Sequence, residues 1–167
     1  GEMIVFEEGK SAFKSIDLFE AKDSRLCAFE YIYFARPDSM IDGKNVYQIR
    51  KKLGEILADK SSCKADFVVP VPDSGVPAAL GYAARSNIPF GMAIVRNHYV
   101  GRTFIEPTQE MRNLKVKLKL NPMSSVLEGK SIVVIDDSIV RGTTSKKIVE
   151  LLRNAGAKEI HMKIAAP

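Results

Sequence analysis

The run Ser131-Ile132-Val133-Val134-Ile135-Asp136-Asp137-Ser138-Ile139-Val140-Arg141-Gly142-Thr143-Thr144-Ser145 constrains the fold of this chain more than any other stretch. Ser131–Ile135 is a short β-branched apolar segment, the pattern of a strand buried on both faces. It stops at two adjacent carboxylates, Asp136 and Asp137. After the loop, Ile148, Leu151, Leu152 and Ala155 recur at helical spacing. Gly156 is placed to end that helix, and a second apolar run, Glu159–Ala166, follows. The unit reads strand–loop–helix–strand, which predicts an α/β chain. In such units ligands gather at the carboxyl end of the strand, where the loop and the helix N-terminus present free backbone N–H groups.

The loop has the composition of a phosphate cradle. Gly142 permits backbone conformations that other residues resist, and three hydroxyls follow it at the start of a helix. Neither the Walker spacing nor a Gly-x-Gly-x-x-Gly pattern is present. The acidic pair in front of the cradle is the unusual part. Two like charges about 4 Å apart repel by roughly 4 kcal/mol at an effective dielectric of about 20, and a phosphate beside them adds to the repulsion. Mg²⁺, or the hydroxyls of a sugar diol, would compensate. A ligand with a phosphate, a ribose diol and a metal-bound polyphosphate fits all the parts. The plainer reading is a solvated strand-to-helix turn with an acidic cap.

Val134-Ile135-Asp136-Asp137-Ser138-Ile139-Val140-Arg141-Gly142-Thr143-Thr144 resembles the phosphoribosyl-pyrophosphate (PRPP) motif of the type I phosphoribosyltransferases. The Arg141-Gly142 wording is similar to the glutamine PRPP amidotransferase branch of that family. Two further stretches agree in order, Phe29-Glu30-Tyr31-Ile32-Tyr33-Phe34-Ala35-Arg36-Pro37-Asp38-Ser39 and Tyr99-Val100-Gly101-Arg102-Thr103-Phe104-Ile105. The resemblance runs from about residue 25 to the end. It implies the type I phosphoribosyltransferase fold: a Rossmann-like, mostly parallel central sheet flanked by helices, with a flexible lid loop and short N-terminal strands.

The activity implied is displacement of pyrophosphate from C1 of PRPP by ammonia, giving 5-phosphoribosylamine, the first step of purine synthesis. By resemblance, Asp136 and Asp137 hold the ribose hydroxyls and the metal shell, with Arg102 acting on the substrate. Ser138, Arg141, Gly142, Thr143, Thr144 and Ser145 take the 5-phosphate. Asp73, Ser74 and Lys119 meet the pyrophosphate, and Ser74, Asp136 and Asp137 share Mg²⁺. Tyr33, Ser39, Tyr99, Phe104 and Ile105 line the ammonia channel. Purine nucleotides are the implied feedback ligands, and the full-length enzyme is expected to be a homo-oligomer. Some relatives hold an iron–sulfur cluster with one ligand at the position of Cys27. No cluster is expected in this chain, where Cys27 reads as a buried small apolar residue.

The family's glutaminase activity uses an N-terminal cysteine in a separate preceding domain, and nothing here matches it. Residues 1–24 therefore read as a strand-rich linker from that domain. Residues 25–167 read as the phosphoribosyltransferase domain, short of the family's C-terminal helices. Glutamine in place of ammonia is expected to do nothing.

The 167 residues suit one domain with a real core, and 46% apolar with 27% charged content describes a globular chain. No apolar run approaches the length of a membrane span, and no signal peptide opens the sequence. The two cysteines form no disulfide framework, which favours a reducing cytosol and a cytoplasmic protein. A net charge of +5 suits a polyanionic ligand, but no basic block interleaved with aromatics argues for nucleic acid.

Glu2–Phe6 and Ala12–Phe19 read as strands joined at Gly9, and Leu26–Phe34 as an aromatic-rich strand. On that strand Tyr31 and Tyr33 share one face, open to a core reading or, for Tyr33, a channel reading. Asn45–Asp59 predicts an amphipathic helix with Arg50, Lys51 and Lys52 outward. Asp66–Val71 predicts a buried strand whose loop, Pro72-Asp73-Ser74-Gly75, opens on a helix over 78–85. That loop is a second anion site or a plain turn. Ile88–Val95 predicts a third strand. Arg96–Leu114 has no periodicity and carries Arg96, Arg102 and Arg112, suiting a lid over pyrophosphate or an inert insertion. Lys115–Leu120 alternates as an edge strand, where the lysines deter aggregation unless Lys119 reaches the ligand. Met123–Gly129 reads as a turn, and His161 as structural. Two rivals stand beside the implied enzyme. One is a nucleobase phosphoribosyltransferase, for which no base-binding hood is assignable; the other is a non-catalytic PRPP or nucleotide sensor.

Overall fold

The computed structural model describes residues 2–20, 25–97, 99 and 120–166. Its central sheet is built from β5 (Phe67–Pro70), β8 (Ser131–Asp136) and β9 (Glu159–Ile164), all parallel, in the order β5–β8–β9. Register is set by Val69 opposite Val134 and Val134 opposite Met162. A single parallel bridge from Phe90 to Val68 continues the sheet beyond β5.

Both faces of the sheet are covered, and alternation along the strands divides the core in two. Val69, Ile132 and Val134 face Ile148 and Leu152 of α4 (Thr143–Asn154), with Leu127 of the short α3 (Ser124–Leu127). Val68, Val133 and Ile135 face Ala78, Ala79 and Tyr82 of α2 (Val76–Ser86), with Ala58 of α1 (Val46–Lys60). The strand–helix–strand unit thus forms as the sequence predicts, and α4 ends before Gly156, at φ +95°.

Outside the sheet, β1 (Glu2–Phe6) and β2 (Phe13–Asp17) form an antiparallel hairpin. The two-stranded β3 (Met40–Ile41) and β4 (Lys44–Asn45) turn through Asp42 and Gly43 at φ +47° and +72°. Both values suit a two-residue hairpin loop. Asn45 caps α1 by accepting from the Gln48 amide at 3.1 Å. β6 (Ile94–Arg96) pairs antiparallel with β7 (Leu120–Pro122).

Several expectations need correction. Leu26–Phe34 is not a strand: Glu30–Phe34 is one turn of π-helix, closed by the Ala35 amide on the Glu30 carbonyl at 3.0 Å. In it only Ile32 is buried, so the period-two aromatics reflect no sheet face. Cys27, expected inside, is exposed. The expected strand 88–95 divides into the Phe90 bridge, where the Val68 amide donates to the Pro89 carbonyl at 2.7 Å and the Gly91 amide to the Val68 carbonyl at 2.9 Å, and β6. The turn 123–129 contains α3. Lys115–Lys119 lie outside the described residues.

The largest correction concerns α1. Its fully buried positions are Val46, Arg50, Gly54 and Ala58, while Leu53 and Leu57 pack part-buried against the same core. Ile56 is exposed, and Arg50, expected outward, is 4% exposed. Small residues let α1 lie close against α2. A Cβ on Gly54 would lie 1.9 Å from the Ala78 carbonyl oxygen, and one on Gly81 would lie 2.0 Å from the Lys51 carbonyl oxygen. The two helices thus touch backbone to backbone. Gly54→Ala or Gly81→Ala is expected to force them apart at about 1–3 kcal/mol, read as a lower midpoint in urea unfolding; an unchanged midpoint would refute the reciprocal contact.

Candidate functional site

The site is assembled where β5 and β8 end side by side. Pro70 pairs with Ile135, and the Val71 amide donates to the Ile135 carbonyl at 2.8 Å. The loop after β5 then folds back over the end of β8. A Cβ on Gly75 would stand 2.4 Å from the Ile135 carbonyl oxygen, so only glycine permits this approach. The Pro72–Asp73 peptide bond in this loop is cis. Asp73 is exposed, Ser74 is half-buried, and Asp73 is ion-paired with Arg96 at the end of β6. Arg96 therefore belongs to a strand end and not to the loop beyond it. Its Nε is buried and has no hydrogen-bond partner among the described residues.

Asp136 closes β8, and both it and Asp137 are buried, at 8% and 6% exposure. Their backbone carbonyls accept from the Ala165 and Ala166 amides at 2.9 Å each. Asp136 Oδ1 accepts from the Asp137 amide at 2.9 Å, and Ser138 Oγ donates to Asp137 Oδ1 at 2.6 Å. Burial first, and the Asp137 charge second, push the Asp136 carboxyl up to about 7, although the Asp137 amide opposes the shift.

The buried cation among the described residues is Arg50, missed by sequence reasoning. Nε donates to the Tyr31 carbonyl at 2.7 Å and Nη2 to the Ala35 carbonyl at 2.8 Å. Burial lowers its pKa, and attraction to Asp137 works the other way. The signal that marks it is its place in the stripe Val46, Arg50, Gly54, Ala58, where the following residues are too small to be a solvated face.

Beyond the acid pair, Ile139, Val140 and Arg141 form an exposed crest. Gly142, at φ +71°, turns the chain into α4, whose first amides have no side-chain cap. Thr143 and Thr144 are exposed there and Ser145 is half-buried. Tyr33 is half-exposed on the π-helical turn. Ser39 accepts the Val46 amide at 3.1 Å on its carbonyl, fixing the entry to α1. Tyr99 is fully exposed. Arg102, Phe104, Ile105 and Lys119 lie outside the described residues.

Among the described residues, no group of three or more His, Cys, Asp and Glu side chains gathers for a metal, so the iron–sulfur suggestion at Cys27 finds no support. Ser74, Asp136 and Asp137 carry oxygen donors of the hard type that divalent cations take. An apolar recess between Ile94, Leu120 and Leu152 belongs to the core packing and offers no chemistry. No helix among the described residues is long and apolar enough to cross a membrane.

Residues 41–166 match the family described as the phosphoribosyl transferase domain, and the chain belongs to that family. More narrowly, it is similar to amidophosphoribosyltransferases. It is 57% identical over 167 residues to the chloroplastic enzyme of Glycine max, covering 100% of this chain and 29% of that protein. It is 56% identical over 170 residues to the enzyme of Rhizobium etli, covering 100% of this chain and 34% of that one. A solved structure described as glutamine PRPP amidotransferase from B. subtilis, complexed with ADP and GMP, matches with TM-score 0.80 and 49% identity. That match covers 100% of this chain and 36% of the other. The chain thus spans about a third of the length of these relatives.

The raised Asp136 pKa sets a pH dependence. The folded state holds this proton more tightly than an unfolded chain, so its stabilising effect is complete below about pH 4 and is lost as pH rises through about 7. Without ligand or divalent metal, Asp136→Asn is expected to raise the melting temperature at pH 8 and to change it little at pH 4. The shift from 3.8 to about 7 bounds the gain at roughly 4 kcal/mol. A gain equal at both pH values would overturn the assignment.

Proposed function

We propose that this chain is the transferase part of an amidophosphoribosyltransferase, converting PRPP and ammonia into 5-phosphoribosylamine and pyrophosphate. The observation that carries the reading is the buried Asp136–Asp137 pair at the end of β8, between the 71–75 loop and the uncapped start of α4. It supports a ligand with a sugar diol between two anionic groups.

In this reading the α4 amides, with Ser138 and residues Arg141–Ser145, bind the 5-phosphate. Asp136 and Asp137 accept hydrogen bonds from the ribose hydroxyls. Asp73, Ser74, Arg102 and Lys119 are assigned to the pyrophosphate end. Ser74, Asp136 and Asp137 are the residues that would hold Mg²⁺, which when bound neutralises charge on the leaving group. The bond from C1 to the pyrophosphate oxygen breaks, and its electron pair leaves with pyrophosphate. The ammonia lone pair forms the new C1–N bond, and the surplus proton passes to solvent. Ammonia is already nucleophilic, so the residues act by position and charge more than as a base.

Tyr33, Ser39, Tyr99, Phe104 and Ile105 are assigned to the route of ammonia, generated from glutamine in the whole enzyme. Purine synthesis and homo-oligomeric assembly belong to the same proposal, as does feedback by purine nucleotides, for which the relative solved with ADP and GMP is the support. A cytoplasmic location suits the bacterial relative, while plant relatives are named chloroplastic.

PRPP consumption with Mg²⁺ and ammonium tests the reading. Asp136→Asn and Asp137→Asn are each expected to lower turnover by about 100-fold or more. Wild-type PRPP binding and turnover in both variants would reject the proposed centre.

A further inference from the structure

The proposed chemistry uses the acid pair and two loops, yet the buried positive charge lies on α1. Arg50 is almost wholly enclosed and fans its guanidinium across two backbone carbonyls, those of Tyr31 and Ala35, at 2.7 and 2.8 Å. The Tyr31 carbonyl lies within the π-helical turn that displays Tyr33, and the Ala35 carbonyl lies at its end. Beyond the turn, Ser39 and the Pro37 carbonyl accept the first amides of α1. The segment 31–39 is therefore fastened to α1 at two levels, by Arg50 in its side chain and by the helix start in its backbone.

α1 in turn is fixed to α2 through Gly54 and Gly81, and α2 begins directly after the 71–75 loop. Asp137 is the acidic group whose field reaches Arg50. A planar fork with five donors holds two carbonyls at a fixed spacing while it presents charge to a third group, a fixed geometry that a lysine's flexible point charge does not supply.

We propose that Arg50 is a positioning residue of this centre, holding the Tyr31–Ala35 turn in register with the acid pair and the 71–75 loop. The inference rests on the phosphoribosyl-transfer reading for its consequence, which is that the incoming nucleophile meets C1 along a wall set by this turn. Arg50 touches no reacting atom in this account. Its loss misplaces the wall while leaving the phosphate and ribose contacts in place.

Arg50→Lys in the full chain keeps the charge and removes the fork. It is expected to stay folded, to hold PRPP with Mg²⁺ within about threefold of wild type, and to lose about tenfold or more in kcat/KM for ammonium. A merely structural role would instead lower the melting temperature and reduce PRPP binding and turnover in proportion. That result, or wild-type kinetics for ammonium in a folded Arg50→Lys chain, overturns the proposal. Amide exchange across 31–35 in the wild-type chain gives a readout independent of the variant's folding. Slower exchange on adding PRPP and Mg²⁺ supports the coupling, and exchange that ignores the ligand refutes it. Should wild type bind no PRPP at all, the proposed function fails. The bracing is then still judged by ligand-free exchange, faster across 31–35 in Arg50→Lys if correct and unchanged if not.

Discussion

Two neighbouring carboxylates taken out of water at the end of one strand are the constraint on which the surrounding structure depends. Desolvation disfavours ionisation of Asp136, and the Asp137 charge disfavours it further. The fold meets this with several small contributions. An amide and a hydroxyl donate to the pair, Arg50 adds a buried positive charge, and the backbone on both sides is held by donors from the 165–166 segment. None of these abolishes the cost. Catalytic centres commonly keep such unbalanced charge in place, because a site whose dipoles are fixed before the ligand arrives has no reorganisation left to do.

The sheet supplies the rigidity and the helices supply the spacing. Pairing of Pro70 with Ile135 aligns the ends of β5 and β8, and the absence of a side chain at Gly75 lets one loop lie on the other strand's last carbonyl. α1 and α2 then approach to backbone contact at two glycines. Displacement of either helix would be felt at both the 71–75 loop and the turn beneath Arg50.

The elements legible in the sequence are those with a strong period and clear punctuation. β8, α4 and β9 combine an apolar run, a helical repeat and a glycine stop, and they form with boundaries close to those expected. The acid pair was legible because nothing about packing calls for two aspartates there. The segment around Tyr31 was misread because aromatic alternation imitates a strand, whereas its carbonyls are satisfied by a distant arginine side chain. Arg50 was misread for the complementary reason: charge suggested solvent, while the carbonyls that take up its guanidinium, those of Tyr31 and Ala35, lie in another segment of the chain. The Asp42–Gly43 hairpin carried a local signal, a turn dipeptide between short polar-flanked pairs, that periodicity could not reveal. For the roles assigned by resemblance to Arg102, Phe104, Ile105 and Lys119, the described residues offer no geometry.

The amides of Ala165 and Ala166 donate to the peptide carbonyls of the two aspartates, one each. The acidic pair is thus zipped along its main chain to a segment that itself contributes no polar side chain. Selection on alanines 165 and 166 would accordingly act on size and backbone shape, tolerating glycine or serine while excluding proline, whose ring nitrogen has no hydrogen to give.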